Sequence, residues 1–292
     1  MASLGKKKYI FVVSAVIILI GIISMAIQGL NLGIDFRGGT IITVDVKTDA
    51  NQEDLKTIVA SAGGKDIQIQ NAGDHSYIIR FYTDENADIH ELRAAINKGL
   101  SDKYGDEIDP SYETVSASAS RELIVAAFVT AAVAIVGMLI YIGFRFDLNS
   151  GLAAVIGLIH DVLITLAVVS VVQLQLNTTF IAALLTILGY AINNTIIVFD
   201  RIRENNKKYD VKQYDRNFVV NVSVKESITR TIFSTLTTLF TIGMLYILGV
   251  TSIKEFTLPI IVGIASSVYS SLCVNPLVWM LFSERKSAKK KA

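Results

Sequence analysis

Apolar residues follow two different rhythms along this chain. In six places they run on for about the thickness of a membrane: residues 9–30, 123–144, 152–174, 180–199, 228–248 and 256–282. A bilayer core about 30 Å thick takes roughly 20 apolar residues in a helix, so each run predicts a transmembrane helix. The runs 152–174 and 180–199 are separated by so few residues that they predict a tight helical hairpin. Runs of that number and length argue against the buried helices of a soluble protein.

Between the first and second runs the pattern shortens. Residues 40–46, 67–70, 77–82 and 112–115 read as strands, and 71–75, with Ala72, Gly73 and Asp74, as a turn. Leu55, Ile58, Val59 and Ala62 mark one face of a helix over 52–62; Ile89, Leu92, Ala95 and Ile96 do the same over 89–100. The order β-α-β-β-α-β is that of a ferredoxin-like α+β unit. The expected architecture is a membrane α-helical protein in which six transmembrane helices carry one such domain between the first two. Its segments are 1–30 (N-terminus and first span), 31–121 (the α+β domain), 122–283 (a five-helix bundle) and 284–292 (a basic tail).

Charge adds orientation. Net charge is only +1, but the basic residues alternate in place. Lys6–Lys8, Arg145, Arg201, Arg203, Lys207, Lys208, Lys212, Arg216, Arg285, Lys286 and Lys289–Lys291 all fall on one side of a six-span topology. That side is expected to be cytoplasmic, with both termini on it. The opposite, extracytoplasmic side holds segment 31–121 with its acids Asp45, Asp49, Glu53, Asp54, Asp84, Glu85, Asp88 and Glu91. Anionic membrane lipid accounts for the basic loops, and no nucleic-acid partner is implied. Lys6–Lys8 before the first run and Ser24-Met25-Ala26 near its end also suit a signal peptide, but the run is longer than a signal core and is read as an anchor. The single cysteine, Cys273, permits no internal disulfide.

Ionisable and amide groups inside a span are functional candidates by default. His160-Asp161 lies near the middle of the third run, and two readings stand: a structural pairing or a part in ion transfer. Asn193 and Asn194, beside Thr195 in the fourth run, either bond across helices or line an ion path. Arg230 opens the fifth run, ahead of a hydroxyl-rich stripe. It either snorkels to the surface or faces the fourth span and biases a carboxylate toward its charged form. His75 and His90 read as solvated. No His-Glu-x-x-His pattern, nucleophile–base set or metal motif occurs, so neither an enzyme nor a metal or organic cofactor is implied.

Two further segments carry a resemblance. Gly33-Ile34-Asp35-Phe36-Arg37-Gly38-Gly39-Thr40 follows the first run, and Gly189-Tyr190-Ala191-Ile192-Asn193-Asn194-Thr195 leads into Phe199-Asp200-Arg201-Ile202-Arg203-Glu204-Asn205. With six spans, these resemble the SecD/SecF family of protein-export membrane proteins, of the resistance-nodulation-division superfamily. The signature positions are Gly33, Asp35, Phe36, Gly38, Gly39, Asp200, Arg201 and Arg203. The resemblance implies a multi-pass protein of the bacterial inner or plasma membrane that pairs with a SecD-like chain. It implies an accessory role beside the SecYEG–SecA translocase, acting on unfolded preprotein with the proton motive force. In that family an acid of the fourth span and an arginine of the fifth are implicated in proton transfer. Arg230 matches the arginine; position 194 is Asn where the family has Asp. An amide does not titrate. Asp161 then takes the proton, or the partner chain supplies the acid, or sodium is the coupling ion. Two rival readings remain: a small-molecule or lipid exporter half of the same superfamily, and a non-conducting structural subunit.

Overall fold

The computed structural model describes residues 4–46, 50–73, 75–83, 88–105, 108–209 and 214–291. Asp49, Asp74, Asp84, Glu85 and Lys212, used above, lie outside these residues.

Helix α1 (Leu4–Gln28) and the single turn α2 (Ile34–Arg37) lead into β1 (Gly39–Asp45). Then follow α3 (Gln52–Ser61), β2 (Lys65–Gly73), β3 (Ser76–Tyr82), α4 (Ile89–Tyr104) and β4 (Ser111–Val115). The four strands are antiparallel in the order β2-β3-β1-β4, as a β-α-β-β-α-β chain requires. On β1 and β3, every second residue points at the helices: Ile42, Val44, Ile79 and Phe81 are fully enclosed. Leu55 and Val59 of α3 and Leu92, Ile96 and Leu100 of α4 close that core. The stripe expected on α4 is shifted. Ile89 and Ala95 are exposed, because the helix runs on to Tyr104 and its buried face follows the Leu92–Ile96–Leu100 spacing. Strand β2 is also longer than 67–70 and carries irregular register at both ends. The side chains of Asn51 and Asp88 accept backbone N–H bonds at the starts of α3 and α4.

The bundle comprises α1, α5 (Ala117–Arg145), α6 (Leu148–Val172), α7 (Thr178–Lys208), α8 (Arg216–Leu248), α9 (Thr251–Tyr269) and α10 (Asn275–Lys291). Six stretches of these are long and apolar enough to cross a membrane; α9 and α10 form one of them, joined by a wider turn at Ser270–Val274. Pro259 lies within α9. The wider turn has a local cause. Pro276 has no N–H to donate, and Asn275 N–H bonds to the carbonyl of Ser270, five residues back. Helix α8 begins well before residue 228, so Arg230 lies within the helix rather than at its opening. The sheet unit stands at one end of the bundle, held by Tyr82 Oη donating to Leu32 O (2.8 Å) and Ser120 Oγ to Ile34 O (3.3 Å).

Candidate functional site

Asp161 lies midway along α6, enclosed except for 1% of its surface. Its two carboxylate oxygens accept hydrogen bonds from Ser266 Oγ (2.6 Å) of α9 and Ser270 Oγ (2.7 Å) of the wider turn. His160 Nδ1 lies 3.1 Å from Asp161 Oδ1, and its Nε2 lies 2.9 Å from Ser14 Oγ of α1. Ser14 in turn reaches Tyr269 Oη (3.3 Å). One polar chain therefore ties together α1, α6 and α9 in the bilayer interior. Bonds to a carboxylate are about twice as strong as neutral ones, so the two serines hold α9 and the wider turn firmly against α6.

Asn194, completely buried on α7, donates through Nδ2 to Ser267 Oγ (3.0 Å) of α9. Asn275 Nδ2 of α10 donates to Thr195 Oγ1 (2.8 Å), and the Asn275 amide packs directly on Gly157, where any β-carbon would overlap it. The register of α7 against α8 is set by Tyr190 Oη to Ser234 O (3.1 Å), Arg201 Nε to Glu226 Oε2 (2.8 Å) and Asn205 Nδ2 to Ser223 Oγ (3.0 Å). That antiparallel register brings Asn194 level with Thr231, with Thr235 one helical turn further along α8. Asn194 Oδ1, Thr231 Oγ1, Thr235 Oγ1 and Asn275 Oδ1 are buried and have no hydrogen-bond partner among the described residues. A set of inward neutral oxygens is thus left unsatisfied.

Asn193 and Arg230, named with these from sequence, are not part of either cluster. Both are exposed on the outside of the bundle, and Arg230 makes no ion pair among the described residues. Thr186 and Gly189 on the Asn193 face of α7, and Thr237 and Thr241 on the Arg230 face of α8, are exposed polar or small positions as well.

The Gly33–Gly39 segment is fastened to the tip of the α6–α7 hairpin. Gly33 N–H donates to Leu176 O (2.6 Å), and Leu176 N–H donates to Asn31 O (2.8 Å). At Gly33 a β-carbon would stand 2.8 Å from Leu176 O. Asp35 Oδ2 accepts from both Thr178 N–H and Thr178 Oγ1 (2.8 Å each), a carboxylate at the positive end of α7. Phe36 packs against Val169, Leu176 and Phe180 of the same hairpin tip. Gly38 and Gly39 hold φ of 79° and 152°, which explains the glycine pair.

At the far end, Asp200, Arg201 and Arg203 join helices. Asp200 pairs with Arg145 of α5 (3.0 Å), and Arg201 pairs with Glu204 (2.6 Å) and with Glu226 of α8 (2.8 Å). Arg203 Nη1 donates to Arg145 O (3.2 Å), and Glu226 also accepts from Asn205 Nδ2 (2.8 Å). The signature is here a clasp over α5, α7 and α8.

Sequence reasoning missed the partners in the sixth span: Ser266, Ser267, Ser270 and Asn275. Their signal is present, as hydroxyls and an amide recurring at helical spacing inside an apolar run. It missed Ser14 and Tyr269 too, which nothing local distinguishes.

Comparison with known proteins agrees with this layout. Residues 96–285 match the model of "Protein export membrane protein SecD/SecF, C-terminal", and residues 23–50 match the SecD/SecF GG motif. The protein translocase subunit SecF of Calditerrivibrio nitroreducens is 36% identical over 97% of this chain and 94% of its own length. The SecDF of Bacillus subtilis is 35% identical over 99% of this chain, which spans only 39% of that protein. The crystal structure of SecDF from Thermus thermophilus superposes with a TM-score of 0.82 at 29% identity, covering 96% of this chain and 38% of that one. The chain belongs to the SecD/SecF family of protein-export membrane proteins, among relatives named as SecF-type translocase subunits.

Proposed function

We propose that this chain works with a SecD-like partner beside the SecYEG–SecA machinery, using an ion gradient, in the first instance the proton motive force, to complete export of unfolded preprotein. Both termini are cytoplasmic in this reading, and segment 31–121 faces the outside, where it binds emerging polypeptide. The observation that carries the proposal is Asp161: a buried carboxylate at mid-membrane, on the helical hairpin whose tip is fastened to the base of the sheet unit. Protonation would weaken the bonds from Ser266 and Ser270, loosen α6 from α9, and shift the hairpin tip that Asp35 grips. The exposed side chains of Asn193 and Arg230 support the partner chain, since uncovered polar groups at that depth are costly in lipid.

The test is preprotein translocation into inverted vesicles, driven by an ion gradient after ATP removal, with wild type and Asp161→Asn at matched levels of assembled complex. Loss of gradient-driven completion is expected. Unchanged translocation would make the chain a non-conducting scaffold and move coupling to the partner.

A second reading has its own observation. The unpartnered oxygens of Asn194, Thr231, Thr235 and Asn275 are ligands suited to sodium rather than to a proton. Collapsing the sodium gradient at constant proton gradient would then stop export; if export continues, sodium is excluded as the coupling ion.

A further inference from the structure

The far end of the bundle holds a cavity of about 250 Å³ between the start of α6, the last turns of α7, and α10. It lies where the apolar part of α7 gives way to charged residues, so it is level with lipid headgroups. Phe199 and Ile202 form its apolar wall, facing the membrane interior along α7. Arg203 and Lys207, one helical turn apart, supply two cations; Asp147 supplies one acid. Arg203 gives one Nη1 hydrogen to Arg145 O, and among the described residues its other donors have no acceptor, so they can serve a ligand. Asp147, at the start of α6, makes no side-chain cap to that helix and instead accepts from Ser150 Oγ. Among the described residues the first N–H groups of this long helix therefore take no cap from the Asp147 side chain, in a position that favours an anion. Trp279 lines the same cavity, is 93% enclosed, and its indole Nε1 has no hydrogen-bond partner among the described residues. A buried indole N–H without an acceptor is uncommon, because Trp normally finds one.

We propose that this cavity binds the headgroup of an anionic phospholipid of the phosphatidylglycerol type. The two cations and the acid leave a net charge of +1, matching the single negative charge of a phosphodiester. The phosphate oxygens take hydrogen bonds from Arg203, Lys207 and Trp279 Nε1. The glycerol hydroxyls donate to Asp147. A free inorganic phosphate uses only the cationic half of this site. The headgroup would brace α6, α7 and α10 against one another. The inference is independent of which ion drives the protein.

Trp279 is the chain's only tryptophan, so its fluorescence reports this site alone. The full chain is reconstituted in phosphatidylcholine bilayers that contain a small, equal fraction of brominated phosphatidylglycerol or brominated phosphatidylcholine. One unbalanced positive charge at the surface predicts about a fivefold enrichment of the anionic lipid, read as stronger quenching of Trp279. Arg203→Gln with Lys207→Gln is expected to erase the difference. The emission maximum and thermal unfolding of that variant serve as folding controls. Lys207→Gln alone, which leaves the site neutral, gives a second, milder variant that should lower the preference. Equal quenching by the two brominated lipids in wild type would overturn the proposal. Relief of quenching by millimolar inorganic phosphate would also overturn it, by making the ligand a free anion.

Discussion

In the sheet unit, Ile42, Val44, Leu55, Val59, Ile79, Phe81 and Ile96 have no exposed surface. In the bundle, the residues enclosed to the same degree include Thr165, Asn194, Ser223, Thr231, Ser267 and Ser271, while Phe128, Phe144, Phe240 and Leu248 are largely uncovered. Each region hides what its surroundings disfavour. Water drives apolar side chains inward in the first region. In the second, hydrocarbon gives apolar groups no reason to leave the surface, and association rests on small residues, close packing and polar bonds. The same observation, a buried serine, is thus unusual in one half of the molecule and ordinary in the other. A buried carboxylate is unusual in both, which is why Asp161 stands apart.

The largest effect that would sharpen this contrast comes from one substitution made in both regions. Phe81→Ala should destabilise the sheet unit by about 3–5 kcal/mol, whereas Phe144→Ala in a bilayer should change stability by about 0.5 kcal/mol or less. Limited proteolysis of the sheet unit and thermal unfolding of the whole chain would separate the two. Equal losses would break the contrast. Next, Asp161→Leu swaps a buried polar group for an apolar one of the kind that stabilises the sheet core. It strands Ser266, Ser270 and His160, and a loss of about 3 kcal/mol is expected, seen as a lower unfolding temperature in nanodiscs. A stabilised variant would mean that the bundle interior follows the sheet unit's rule after all.

Smaller effects test the junction. Asp35→Ala removes the carboxylate at the start of α7 and should cost about 1 kcal/mol, with faster amide exchange at Thr178 and little change in the sheet core. The smallest effect is confined to the sheet unit. Burial pushes the Tyr112 phenol up to about 12 from its ordinary value of 10.0, against the opposing pull of Arg93 over its ring. The folded state therefore holds this proton more tightly than the unfolded state. The stability it contributes is complete below pH 10.0 and is lost as pH rises toward about 12. Tyr112→Phe should flatten unfolding of the sheet unit across that window; an unchanged alkaline profile would remove Tyr112 as its cause.

Much of this contrast could be read from sequence. Period-two alternation marked β1 and β3, and long apolar runs marked the spans, because each pattern reports the solvent on one element. Asp161 was visible as an acid where none is expected. Its donors were not, since periodicity says which face of a helix is polar but not which helix lies opposite. Arg230 shows a related failure. The apolar run that placed it at a helix start began late, because the first turns of α8 are polar where Ser223 and Glu226 engage α7. Of the two readings left open for Arg230, at the surface or facing the fourth span, its exposure favours the first.

The wider turn at Ser270–Val274 makes the last span sensitive to phase. Each residue added to or removed from a helix rotates everything beyond it by about 100°. Removing one residue there to restore an ordinary helix would leave α9 and its hold on Asp161 in place, yet swing Asn275 off Gly157 and Trp279 out of its cavity. The two halves of the sixth span are therefore indexed to different neighbours, and a single-residue deletion is the mutation this span should tolerate least.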